Sequence, residues 1–178
     1  SNINIQNFQT GISLSKKSDL SLSNLNISNC TWPIQFQNSA KLLLVGNNNF
    51  NFNTYNVILI NFYSLNDTLN LPYSNIPYYI PNDFTISNTS KLTIASNNIL
   101  KFNGGLWVEG VLIADANIGE NIYFTSWLDD NWGGDSNNDG QISAPNSQNW
   151  HGVIFNDNSI DAACIMRRCN LRFAGAYQ

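Results

Sequence analysis

Apolar and polar residues alternate along short stretches of the chain, with the period of two of an extended strand and not the 3.6 of a helix. Ile12-Ser13-Leu14, Leu20-Ser21-Leu22, Leu25-Asn26-Ile27, Ile34-Gln35-Phe36 and Phe50-Asn51-Phe52 carry this pattern in the first third. Leu92-Thr93-Ile94, Ile122-Tyr123-Phe124 and Val153-Ile154-Phe155 carry it toward the C-terminus. Each predicts a strand of about three residues. No segment shows the spacing of an amphipathic helix.

The strands recur at a near-constant stride. Ile12 and Leu14 return as Ile34 and Phe36, and Leu20 and Leu22 as Leu42 and Leu44, both a step of 22 residues. Leu25 and Ile27 match Phe50 and Phe52 after 25. Leu92 and Ile94 match Val111 and Ile113, and Leu100-Lys101-Phe102 matches Ile122-Tyr123-Phe124 at 22. A period of about 20–25 residues marks a solenoid, in which each inward side chain stacks over its equivalent in the next turn. A leucine-rich repeat would show a denser leucine signature, and a sandwich longer strands. The predicted fold is therefore all-β: a parallel β-helix of about 22 residues per rung and roughly six rungs over residues 1–178. Between Leu65 and Asp83 the pattern lapses and Pro72, Pro77 and Pro81 accumulate. Proline removes a ladder donor, so residues 65–83 are expected to form an irregular, strand-poor crossing within one continuous solenoid.

Composition explains why such a fold suits this chain. Of 178 residues, 43% are hydrophobic and 12% aromatic, enough to build a core and exclude disorder. Only 11% are charged, while about thirty are asparagine. Asparagine tolerates left-handed backbone, so Asn24, Asn29, Asn38 and Asn47 fit repeated turns, and equivalent amides can form ladders. Charged residues at stacked positions would repel one another. The net charge of −4 and a pI near 4.6 argue against nucleic acid as a partner. No apolar run is long enough to insert this segment in a membrane as a helix.

Charge is also unevenly placed. Residues 1–108 hold five lysines and three acids, whereas residues 109–178 hold nine acids and three arginines. Candidate chemistry concentrates in that acidic part, within the longest interruption of the repeat, residues 126–149. Loops of this length are commonly functional. Asp135-Ser136-Asn137-Asn138-Asp139-Gly140-Gln141 follows the first half of a calcium-loop pattern, D-x-[DN]-x-[DN]-G. Oxygens of Asp135, Asn137 and Asp139 would converge, Gly140 would permit the sharp turn, and the Gln141 carbonyl would add a ligand. Asn146 stands where an EF-hand has its bidentate glutamate, so Asp129 or Asp130 is expected to complete the set. The expected cofactor is calcium, ordering the loop and not catalysing. Trp127 and Trp132 of the same loop either pin it to the solenoid wall or stack on sugar rings as a glycan-binding patch.

Cys30, Cys164 and Cys169 have no zinc-type spacing and there is one histidine, His151. Burial as small apolar groups is the simplest role for the thiols. A Cys164–Cys169 disulfide is left open by the sequence.

From Leu71 onward the chain resembles secreted bacterial right-handed parallel β-helix proteins of the pectin-lyase-like superfamily. Ile76-Pro77-Tyr78, Gly110-Val111-Leu112-Ile113-Ala114, Ile122-Tyr123-Phe124-Thr125-Ser126, Asn149-Trp150-His151-Gly152-Val153 and Leu171-Arg172-Phe173-Ala174-Gly175 carry the likeness. The resemblance implies a right-handed helix, a secreted or cell-surface location, often by type IX secretion, and contact with that machinery during export. It further implies a structural or adhesive role facing glycans or surface proteins. Phe173-Ala174-Gly175 reads as the middle of a rung, so a longer parent chain is expected.

Lyases and hydrolases share the fold, so enzyme activity is the rival expectation. It would use Arg167, Arg168 or Arg172 as a base, His151, or a carboxylate pair among Asp129, Asp130, Asp157 and Asp161. No spacing singles out a pair, and no catalytic residue is assigned.

Overall fold

A computed structural model describes residues 2–15 and 18–176. The chain winds into a parallel β-solenoid whose spine is a seven-stranded sheet of successive, stacked strands: Thr10–Leu14, Trp32–Phe36, Ile58–Ile60, Tyr78–Ile80, Ile99–Phe102, Ile122–Ser126 and Cys169–Leu171. Among the described residues the only helical element is a short 3-10 turn, Asp161–Ala163.

Side-chain alternation gives this sheet one buried and one outward face. Ile12, Ile34, Ile58, Tyr78, Leu100, Phe124 and Leu171 form one inward column, each paired with the next. Leu14 stacks on Phe36, and Ile80 on Phe102, in a second. Trp150 is fully buried and stacks on Phe102 at 4.7 Å, and its indole N–H donates to the Arg172 carbonyl.

The other faces change partway along the solenoid. In the first turns they are the sheet of Ile3–Gln6, Leu25–Ser28 and Asn49–Asn51, and the pair Asp19–Ser23 with Lys41–Val45. From Ser64 onward they are two four-stranded sheets, one starting at Ser64–Leu65 and the other at Thr68–Leu71. The seven-stranded sheet runs through both parts.

Residues 65–83 depart from the strand-poor crossing expected of them: Thr68–Leu71 and Tyr78–Ile80 are both paired strands. The prolines lie between strands, Pro72 after the first and Pro77 and Pro81 on either side of the second. Proline interrupts ladder bonding only within a strand, so the winding continues.

The step of 22 holds where it was read first, with Ile12 opposite Ile34 and Leu20 opposite Leu42. Three other matches need correction. Ile27 lies opposite Phe50, and Phe52 sits at φ 57° with 83% of its surface exposed, in the turn beyond the strand. Leu92 and Ile94 face Leu112 and Ala114, one place on from Val111 and Ile113, at a step of 20, because the turn at 109–110 is two residues shorter than the one at 87–90. A one-residue slip exchanges the two faces, so Val111 and Ile113 point away from the core. Leu100 pairs with Phe124 and Phe102 with Ser126, a step of 24, because Ala114 and Tyr123 lie four residues further apart along the chain than their partners Ile94 and Ile99.

Asparagine serves turns and strands separately. Asn24 and Asn29 adopt left-handed backbone, as do Asn7 and Asn97, whereas Asn38 and Asn47 do not. The amide ladder lies on strands: Asn26 donates to Asn4 at 3.2 Å, and Asn49 to Asn26 at 3.1 Å.

Candidate functional site: the loop at 126–149 and the face it crosses

The inserted loop folds back over the outward face of the seven-stranded sheet. Outward side chains in register are Ser13, Gln35, Leu59, Tyr79, Lys101 and Thr125. Trp127 stacks on Tyr79 with centroids 3.7 Å apart and 21° between planes, and Trp132 on Tyr123 at 3.9 Å and 22°. Both indoles thus lie against the solenoid wall. Gly133 sits at φ 80°, and a Cβ there would fall 2.3 Å from the Pro77 ring. Only glycine permits this approach.

Lys101 is the residue under the loop that sequence reasoning missed. Its position in Ile99-Leu100-Lys101-Phe102 is outward and reads as solvated, yet it is fully buried and its Nζ donates to the Gly134 carbonyl at 2.8 Å. Burial pushes its pKa down to about 8, opposed by the nearby carboxylates of Asp130, Asp129 and Asp135. The acid-rich loop over an outward lysine was the available signal.

Asp129 is fully buried and held from three sides. Its Oδ2 accepts from Thr125 Oγ1 at 2.6 Å and lies 3.6 Å from an Arg172 guanidinium nitrogen, while Oδ1 accepts from the Asn131 N–H at 3.2 Å. These bonds staple the loop's first turn to the sheet.

Asp130, Asp135 and Asp139 converge instead on each other, with one ligand oxygen of each within 4.8 Å of the others. Asp135 also accepts from the backbone N–H groups of Asp139 and Gly140, at 3.1 and 2.9 Å. Asn137 donates to Asp139 at 2.8 Å and to Ser143 at 3.1 Å. One oxygen each of Asp130, Asn137 and Asp139 is buried with no hydrogen-bond partner. The Asp130 carboxyl is raised above its ordinary range by burial first and by Asp135 second. Hard, convergent oxygens with spare acceptor capacity form the kind of donor set calcium takes. Gln141 is exposed, and Asp129 is not among the three converging acids.

The remaining candidates are dispersed. Arg167 pairs with Asp115 at 3.2 Å, and Arg168 bonds the Ala116 carbonyl. His151 Nδ1 lies 3.2 Å from Asp83, with its ring edge-on to Trp107. Asp157 and Asp161 are exposed on a separate segment. The three cysteines are free thiols: Cys30 is buried, while Cys164 and Cys169 bond the carbonyls of Gly110 and Ala114. Among the described residues no helix is long and apolar enough to cross a membrane.

No family model, curated protein or solved structure matches the chain. The parallel β-solenoid is established by its own strand pairings.

Proposed function

We propose that this chain is a stiff segment of a secreted or cell-surface β-solenoid with a structural or adhesive role, and that calcium orders its loop at 126–149. The observation that carries the calcium reading is the convergence of Asp130, Asp135 and Asp139 beside buried acceptor oxygens left without donors. Such acceptors lose free energy when buried unpaired, and a divalent cation satisfies several at once. Asp130, Asp135 and Asp139 would be the ligands, with the Asn137 amide oxygen as a fourth. Extracellular calcium modules bind at about 10⁻⁴–10⁻³ M, a range suited to a partly exposed site of this kind. The surface location draws its support from the resemblance to exported β-helix proteins.

Calorimetric titration of calcium into chelator-treated protein should give a binding isotherm, and the melting temperature should rise with calcium. Asp135→Asn together with Asp139→Asn should remove both effects. No heat together with an unchanged melting temperature would sink this reading. Affinity should also fall on acidification, because Asp130 takes up its proton at a higher pH than an ordinary carboxyl and a protonated oxygen is a poor ligand. A pH-independent affinity through the carboxyl range would count against Asp130 as a ligand.

A further inference from the structure

Successive complete turns of the solenoid are joined by three ladders at every step but one. Thr10–Leu14, Asp19–Ser23 and Leu25–Ser28 pair with Trp32–Phe36, Lys41–Val45 and Asn49–Asn51. Ile58–Ile60, Ser64–Leu65 and Thr68–Leu71 likewise pair with Tyr78–Ile80, Phe84–Ile86 and Lys91–Ile94, and the later steps repeat the scheme. From the turn of residues 32–51 to that of residues 58–71 a single ladder remains, Ile34-Gln35-Phe36 on Ile58-Leu59-Ile60. The other strands of these two turns, Lys41–Val45, Asn49–Asn51, Ser64–Leu65 and Thr68–Leu71, each end their sheet here.

The break is one of placement round the solenoid. Thr68–Leu71, the third strand of its turn, lies beside Lys41–Val45, the second strand of the turn before, and does not pair with it. Two clefts straddle that side: one of about 330 Å³ lined by Asp19, Lys41 and Asp67, the other of about 240 Å³ lined by Gly46, Asn48 and Tyr73. Among the described residues one side-chain hydrogen bond crosses it, from Asn75 Nδ2 to the Asn48 carbonyl at 2.9 Å. Apolar packing is not interrupted. Leu42 and Phe50 before the step, and Leu65, Leu69 and Leu71 after it, are buried in one cluster. Hydrogen bonds fix distance and direction, whereas apolar burial is non-directional and survives sliding. A step that keeps its core and lacks two of three ladders therefore resists separation but yields to twist.

We infer that this step is a joint built into the fold: the turns up to Asn51 and those from Ser64 onward move as two rigid blocks, twisting about the ladder of Trp32–Phe36 on Ile58–Ile60 while the core between them slides. Motion of this kind, in which packed elements shift without parting, is shear, and it runs on the microsecond-to-millisecond scale. The segment is then stiff within each block and compliant between them. The inference rests on strand pairing alone and holds whether or not calcium orders the loop.

Amide residual dipolar couplings of the whole chain, weakly aligned in chelator, test this, because blocks that move relative to one another align to different degrees. Residues 10–51 and 64–126 should require two alignment tensors of unequal magnitude. Asn75→Ala, at an exposed position, removes the one side-chain tether and should increase the inequality. Asn49→Ala removes a comparable bond, to Asn26, on a step that keeps all three ladders, and should leave the inequality unchanged. Native-state hydrogen exchange gives a second reading. Residues 10–51 should open together, with protection at least about tenfold below residues 64–102, as the absence of two or more hydrogen bonds at the joint implies. One tensor that fits both stretches overturns the inference. So does an equal effect of the two substitutions, or protection that passes from residues 34–36 to residues 58–60 without a step.

Discussion

Lys101 ties the stability of the fold to pH. Its ammonium is buried beneath the loop, and its pKa of about 8 lies well below the 10.5 it has in an unfolded chain. Between those values the unfolded chain holds a proton that the folded one has released, so stability rises with pH across that window. The gain from pH 8 to pH 10 is about 2 kcal/mol. Burial raises Tyr78 and Tyr79, the latter to about 12, so near and above the ordinary tyrosine range stability falls again as pH climbs. Urea midpoints of chelator-treated protein between pH 7 and 10 should rise, and Lys101→Met should flatten the rise. An equal rise in the variant would show that Lys101 is not its source. The same substitution removes a positive charge beside Asp130 and Asp135 and should strengthen calcium binding several-fold by calorimetry. Lysine burial was illegible in the sequence because strand alternation says only that a residue faces outward, not what later folds over that face. The asparagines were legible as turn formers at Asn24 and Asn29, where local backbone preference decides. The ladder on Asn4, Asn26 and Asn49 depends on register between turns, which composition does not contain.

At the scale of elements, strand existence was readable and strand register only partly so. The stride of 22 survives where turns are of equal length, as from Ile12 to Ile34, and fails where a turn gains residues, as between Leu100 and Phe124. The acidic loop was identified by its length and its Asp/Asn/Gly run. Which acids meet was set by its path over the sheet: Asp130 joins Asp135 and Asp139, while Asp129 turns to Thr125 and Arg172. That path hinges on Gly133. Both Gly133 and Gly134 have positive φ, but a Cβ at Gly134 meets nothing within 4 Å, whereas one at Gly133 would collide with Pro77. Gly134→Ala should therefore cost about 1 kcal/mol of backbone strain. Gly133→Ala should cost a further 1–2 kcal/mol or so by lifting the loop from the sheet. Limited chymotrypsin digestion with cleavage read at 126–149 distinguishes the two, and equal cleavage rates would refute docking through the Pro77 contact.

At the scale of the molecule, strands pair only with those of adjacent turns, while the loop at 126–149 reaches past one turn to Tyr79, so stability should behave as a sum of turns, of contacts between adjacent turns and of the loop's own contacts. The strands Tyr78–Ile80 and Ile99–Phe102 have a partner on each side, and the loop covers part of their outer face. Ile3–Gln6 and Cys169–Leu171 are sheet edges in this chain, with a partner on one side only. Opening an end costs one interface, whereas opening the middle costs two and the loop contacts besides. Native-state hydrogen exchange should therefore show protection highest around residues 78–102 and falling toward both edges. Leu100→Ala removes a fully buried side chain stacked between Tyr78 and Phe124 and should cost about 2–5 kcal/mol. Its effect on exchange should be greatest at residues 78–80 and 122–126 and small at residues 10–14, several turns away. A uniform drop in protection from residue 10 to residue 171 would mean that the solenoid opens as a single unit, and nearest-neighbour stacking would then be the wrong account of its stability.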